Sequence, residues 1–155
     1  MNFSANDRKE ILMEQLRITT EAAELDVPLI HRFLSEESAW ARGIPLATVE
    51  ESIRNSLNFG LFAGAGQVAY ARVVTDYSTF AYLVDVFVLA EHRGKGHSAR
   101  LMAAVMAHPR LQGLRRFMLA TSTAHGLYAK FGFAAPARPQ SLMERYAPDV
   151  YLTLT

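Results

Sequence analysis

An α+β (mixed α/β) domain is the fold class this sequence predicts, and three observations predict it. The first half carries short β-branched and aromatic runs, Leu16–Thr19, Phe59–Ala63, Val68–Thr75 and Phe80–Leu89, joined by glycine and aspartate turns as antiparallel strands are. After the last of these the apolar spacing turns helical: Leu101, Met102, Val105 and Met106 share one face of 99–107, and a short strand (117–120) and a short helix (124–131) follow. The third observation is composition: 155 residues, 50% hydrophobic and 20% charged, are average for one core, and a domain of this length buries roughly 70% of its unfolded surface. Together they predict a mostly antiparallel sheet with a β-α-β-α unit in its second half, one domain over 1–155, with 1–14 a leader or peripheral helix.

Each element has a local reason. From Ala22 the positions Leu25, Leu29, Ile30, Phe33 and Leu34 are spaced for an amphipathic helix, with Pro28 near its start, where proline is tolerated. A second helix follows Gly43-Ile44-Pro45: Thr48 and Glu51 have capping-box spacing, and Val49, Ile53 and Leu57 form its inner face. Gly64-Ala65-Gly66-Gln67 reads as a hairpin connection, and Asp76-Tyr77-Ser78 as the next turn. The run from Phe80 to Leu89 is long and apolar enough for a central strand covered on both faces. Gly132 reads as a helix C-cap, 133–141 as a proline-containing connection and 150–154 as a last strand.

The net charge of +1 hides a lopsided layout. Residues 92–143 contain no Asp or Glu and total +8, while the remaining 103 residues total −7. A basic tract of this length suggests a surface that receives a polyanion. With no cysteine, a disulfide framework, a thiolate metal cluster and a cysteine nucleophile are excluded. The N-terminus has charges where a signal peptide needs an apolar run, so a cytoplasmic location with no membrane partner is the expectation.

Two stretches fit the loose pattern G-x-G-x-x-G/A. Gly64, Gly66 and Ala69 lead into a strand and offer no helix N-terminus, so they read as a turn. Gly94, Gly96 and Ala99 follow the central strand and open a helix, the geometry in which free N–H groups and the helix dipole attract phosphate; Arg93 and Lys95 add charge there. The acidic residue that a dinucleotide site needs about 20 residues further on is missing, which disfavours NAD. The P-loop string does not occur, which disfavours ATP. His92, His97, His108 and His125 lack metal-ligand spacing and sit among positive charges, so no metal is expected. The stretch 92–116 interleaves no aromatics with its bases, which disfavours single-stranded nucleic acid as partner.

The segment Val88-Leu89-Ala90-Glu91-His92-Arg93-Gly94-Lys95-Gly96-His97-Ser98 resembles the acyl-coenzyme A loop, Q/R-x-x-G-x-G/A, of the GCN5-related N-acetyltransferases (GNAT). Arg93 opens it, Gly96 is its central glycine, and Ser98 stands where the family has a final Gly or Ala. A second motif, Ala124-His125-Gly126-Leu127-Tyr128-Ala129-Lys130-Phe131-Gly132-Phe133, is similar to the family's A-x-x-L-Y-x-K-x-G-F. The resemblance runs from Leu16 to Leu154. It implies a GNAT fold whose splayed, mostly antiparallel sheet is flanked by helices and parts beside the central strand to admit pantetheine.

The resemblance also implies acetyl-CoA as cofactor and N-acetyl transfer by direct attack within a ternary complex. The cofactor would meet Phe87, Val88 and Leu89, then Arg93, Gly94, Lys95, Gly96, His97 and Ser98, with His125 and Tyr128 alongside. Tyr128 would be the acid for the leaving thiolate, and backbone N–H at Val88 or Leu89 would polarise the thioester carbonyl. Asp85, the lone carboxylate of the central strand, reads either as anchor or base for the acceptor amine or as a structural hydrogen-bond acceptor. Tyr82 is a candidate for positioning water. The acceptor site would draw on Phe33, Trp40, Arg42, Tyr82 and Asp85, with Tyr70, Tyr77 and Phe80 nearby, walls that suit a small-molecule amine of apolar or aromatic body. Modification of a protein or aminoacyl-tRNA amine is the alternative, and assembly as a homodimer stays open.

Overall fold

The computed structural model describes residues 4–8 and 15–153. Of the expected leader, 5–8 form a helical turn, while 1–3 and 9–14 lie outside the described residues, as does Leu154. Five strands, β1 (Leu16–Thr19), β2 (Leu57–Ala63), β3 (Gly66–Thr75), β4 (Phe80–Val88) and β5 (Arg116–Leu119), form a sheet in sequential order. The first three pairings are antiparallel and β4–β5 is parallel. Helix α1 (Val27–Arg32) runs into one π turn (Phe33–Glu37), followed by α2 (Leu46–Arg54), α3 (His97–Ala107) and α4 (His125–Ala129).

The helices cover the sheet from both sides, because each face of the central strands is apolar. Leu101, Met102 and Val105 of α3 pack on Leu61, Val73 and Leu83. Ile30, Leu34, Val49 and Ile53 pack on the opposite face against Tyr70 and Phe87. Tyr70 is fully buried and donates from its hydroxyl to Asn58 Oδ1, while Asn58 Nδ2 donates to the Ile53 carbonyl at 2.9 Å. Burial pushes the Tyr70 phenol far above its ordinary value of 10.0. Because the folded state holds this proton more tightly than the unfolded chain, the contribution of Tyr70 to stability is constant below about pH 10 and falls as pH rises beyond it. Tyr70→Phe orphans Asn58 Oδ1 and is expected to cost about 1–3 kcal/mol in urea denaturation at pH 7, and to flatten the alkaline fall.

Two features of β4 position the site. Its ladder with β3 slips: Tyr70 faces Phe87 and Arg72 faces Val84, so Ala71 alone opposes Asp85 and Val86. This is a β-bulge, and Asp85 takes the left-handed conformation within it, φ 55°. The extra residue switches the face on which alternate side chains lie. Ala81 and Leu83 pack toward α3, as do Val86 and Val88 beyond the bulge, while Phe87 turns toward α1. The second feature is parting. Residues Phe80–Leu83 pair with Arg116–Leu119, and the rest of β4 diverges from β5.

Four expectations need correction, the first being Leu57, read as part of the second helix's inner face: α2 ends at Arg54, and Leu57 opens β2 opposite Val73. The first helix begins at Val27, after a 3-10 turn at Ala22–Glu24, because the Asp26 side chain accepts from Leu29 N and sets the start there; Pro28 lies in the first turn as expected. Thr48 and Glu51 do not form a capping box, since α2 already begins at Leu46 with Pro45, extended at ψ 148°, as its N-cap. Both residues therefore lie inside the helix, and Glu51 pairs with Arg54. Residues Val150–Thr153 form a 3-10 turn rather than a strand: Tyr151 packs on the helix-side core, and none of the five described strands pairs with this segment.

Candidate active site

The site starts at the end of β4. Leu89 N donates to the Val68 carbonyl at 2.9 Å, and Ala69 lies opposite Val88. Backbone groups of an antiparallel ladder alternate in direction, so Val88 turns its N–H and C=O away from β3 into the gap left by β5. Its carbonyl accepts from Arg93 Nε at 3.0 Å. The Leu89 N–H is already used, so of the two backbone donors only that of Val88 points into the gap.

Beyond β4 the chain makes a 3-10 turn (Ala90–His92) and enters the glycine loop. Gly94 and Gly96 have φ of 74° and 81°, which L side chains rarely adopt, and a Cβ on either would point into open space. Gly96 is the N-cap of α3 and offers no side chain to it, so the first N–H groups of an 11-residue helix face the loop beside Arg93 and Lys95. His97, at the first helical position, is buried, and its Nδ1 has no hydrogen-bond partner among the described residues. Desolvation first, then the charges of His92, Lys95 and Arg100, hold its imidazole below the ordinary value and hence neutral near pH 7.

Across the gap, α4 presents Tyr128, buried and edge-on to Phe133 at 6.3 Å. Desolvation raises its phenol above 10.0, so it carries its proton at neutral pH. A cleft of about 380 Å³ joins these parts. Val86, Phe87 and Val88 form one wall, Arg93 and Ser98 one end, Ala124, Leu127 and Tyr128 the far side, and Phe33, Glu37, Ser38, Ala39 and Trp40 the roof. Phe33 stacks on Phe87 at 3.9 Å, and Trp40 leans on Phe33 at 6.4 Å.

Asp85 lies behind this roof. Its carboxylate accepts from Trp40 Nε1 at 2.9 Å through one oxygen and from Arg72 Nε at 2.9 Å through the other. Arg72 also donates to Ser56 Oγ at 3.0 Å. Asp85 thus ties the roof tryptophan to β3, and both of its oxygens are occupied.

The structure brings Phe33, Trp40, Phe87, Val88, Arg93, Ser98 and Tyr128 into one cleft, with Gly94, Lys95, Gly96 and His97 in the loop at its end. It separates others. Tyr82 lies opposite Val74 and Met118 where the strands still pair, outside the cleft. Arg42 is exposed and does not line it. Tyr70 is core; Tyr77 packs under the Arg110 guanidinium at 3.6 Å; and Phe80 opens β4 opposite Arg116. His125 faces a second groove, about 950 Å³, between β5 and residues 133–142. The lining residues that sequence reasoning missed are Glu37, Ser38, Ala39, Val86, Ala124 and Leu127. The last two stand within the second motif, whereas nothing in the sequence signals the π turn that carries Glu37. No group of three or more metal-ligating side chains occurs among the described residues.

Comparison with known proteins decides the family. The profile of the Acetyltransferase (GNAT) family matches residues 27–133. This chain belongs to the GNAT family, and it is an acetyltransferase. A solved GNAT-family acetyltransferase of Xanthomonas campestris pv. campestris is 62% identical, covering 88% of this chain and 96% of its own, with a TM-score of 0.86. A Gibberella zeae protein named as an acetyltransferase is 34% identical over 135 residues, 73% of this chain and 75% of that one. A Clostridium acetobutylicum acetyltransferase solved with acetyl-CoA shares the fold at 14% identity and a TM-score of 0.58, over 84% of this chain and 94% of that one. The expected GNAT architecture is therefore the observed one: a mostly antiparallel sheet, parted beside β4 and flanked by helices.

Proposed function

We propose that this GNAT-family acetyltransferase moves an acetyl group from acetyl-CoA to a small-molecule amine that attacks directly within a ternary complex. One observation carries the reading: the outward N–H of Val88, the glycine loop at the N-terminus of α3, Arg93 and the protonated Tyr128 converge on a single cleft. The residues fit the cofactor. The backbone at Gly94 and Gly96 borders open space where a Cβ would lie, and His97 Nδ1 is a buried polar atom still without a partner among the described residues. The expected pyrophosphate ligands are the backbone of 94–98 with Arg93 and Lys95. The basic tract around them compensates the phosphate charge.

Acetyl-CoA supplies the thioester acyl group and the thiolate that leaves. Val88 N–H donates to the carbonyl oxygen, where negative charge develops. Tyr128 holds a proton on Oη for the departing sulfur, where burial keeps it at neutral pH. The amine attacks in its neutral form, and the proton its nitrogen sheds as the N–C bond forms and the C–S bond breaks goes to solvent water, from which the phenol is restored. Phe33, Phe87 and Trp40 form an apolar wall for the acceptor's body. With no thiol in the chain to carry an acyl group, attack by the amine itself is the simplest route. No helix among the described residues is long and apolar enough to cross a membrane.

Thermal melts with acetyl-CoA, NAD, ATP and an oligonucleotide test the reading. A ligand at 100 times its Kd adds about 2.7 kcal/mol, a shift of several degrees at this size. A shift with acetyl-CoA is expected; no shift with it but one with another ligand would overturn the assignment. Arg93→Ala is expected to raise the acetyl-CoA Kd about tenfold, since a charge-assisted hydrogen bond contributes about 1.5–3 kcal/mol. Calorimetry checks this, with kcat at saturation close to wild type.

A further inference from the structure

We propose that Glu37 receives the ammonium group of the acceptor, so that the cleft selects cationic amines over neutral molecules of the same shape. The inference rests on the acetyltransferase reading above and adds the group that chooses the acceptor. Two carboxylates stand at this cleft, Glu37 in its lining and Asp85 behind Trp40, and the geometry distinguishes them. Asp85 has one oxygen on Arg72 and the other on Trp40, so its charge is neutralised within the fold. Glu37 lines the cleft itself, joins no ion pair among the described residues and is solvent-accessible. It is the one acid in the cleft lining, and Arg93 is the one base there.

Its placement is fixed by the π turn. Ser38 N donates to the Phe33 carbonyl at 2.9 Å, the five-residue bond that widens the helix there. The buried Ser38 hydroxyl donates to the Leu34 carbonyl at 2.6 Å and accepts from Ala41 N at 3.0 Å. Glu37 therefore projects from a rigid segment that also carries Trp40. With the phosphates of the cofactor matched to Arg93, Lys95 and the α3 N-terminus, Glu37 is the fixed anion of the cleft lining that an entering ammonium ion meets. The half-exposed ring of Trp40 adds attraction for a cation.

Trp40 is the chain's one tryptophan and lies in the cleft, so its fluorescence reports occupancy. The full-length protein, saturated with CoA, is titrated with 2-phenylethylamine and with 2-phenylethanol, which has the same body without the charge. Wild type is expected to bind the amine at least about tenfold more tightly than the alcohol. Glu37→Gln should abolish that preference while leaving the alcohol Kd, the CoA Kd and the melting temperature unchanged. Equal amine affinity in Glu37→Gln and wild type overturns the inference, as does a wild type that responds to CoA but does not prefer the amine. A wild type whose Trp40 does not respond to CoA overturns the acetyltransferase reading of the cleft, and this inference with it.

Discussion

Tyr128→Phe is expected to lower kcat by about 10²–10⁴, the usual contribution of a positioned proton donor, with the acetyl-CoA Kd nearly unchanged. The substitution removes one hydroxyl and keeps the ring, so the edge-on packing with Phe133 at 6.3 Å survives. The pH profile gives an independent check. Desolvation raises the phenol above its ordinary 10.0, so the acid stays protonated through the neutral range and wild-type kcat should decline only above about pH 10. The variant, with no proton there to lose, should lack that decline. Steady-state kinetics from pH 7 to 10.5 beside cofactor calorimetry make the comparison; equal turnover in the two proteins removes Tyr128 as the acid.

Asp85→Ala is expected to destabilise the fold by about 3–5 kcal/mol, because removing one member of a buried ion pair leaves the other charged and without a partner. Here Arg72, 15% exposed, would lose the carboxylate 2.9 Å away, and Trp40 Nε1 would lose its acceptor. Alanine gains nothing at a φ of 55°, whereas glycine adopts it freely, so Asp85→Gly should recover about 1 kcal/mol of the loss. Urea denaturation measures both, and the fluorescence of Trp40 should change as its tether is cut. Asp85→Asn separates structure from chemistry. A tethering residue predicts lower stability, a weaker acceptor KM and a kcat within a few-fold of wild type. A general base predicts a collapse of kcat with stability near wild type.

Much of the fold was legible because it depends on local signals. The hairpin glycines, the apolar run of Phe80–Leu89 and the helical spacing after Gly96 each report a backbone state that neighbouring residues determine. The capping box failed because Pro45 fixed the helix start two residues before Thr48 could cap it. The final strand failed because β-branched residues make a strand only beside a free edge, and Tyr151 is held elsewhere. In the site, the loop from Arg93 to Ser98 and Tyr128 were legible as two motifs in sequence order. The acceptor side was not: Tyr70, Tyr77, Phe80 and Tyr82 are aromatic in the sequence whether they line a cleft or fill a core.

The sequence by itself determined the family, the glycine loop after the central strand and the two opposite charge fields that sum to +1, all of which reside in contiguous residues or in composition. Only the tertiary structure decided where the two carboxylates stand and which partners they have. A one-residue bulge sets which face Asp85 points to, and a π turn sets where Glu37 stands; neither leaves a sequence pattern. The physical reason is that a carboxylate's role depends on the partners within hydrogen-bond reach. Those partners, Arg72 and Trp40, lie 13 and 45 residues from Asp85 along the chain.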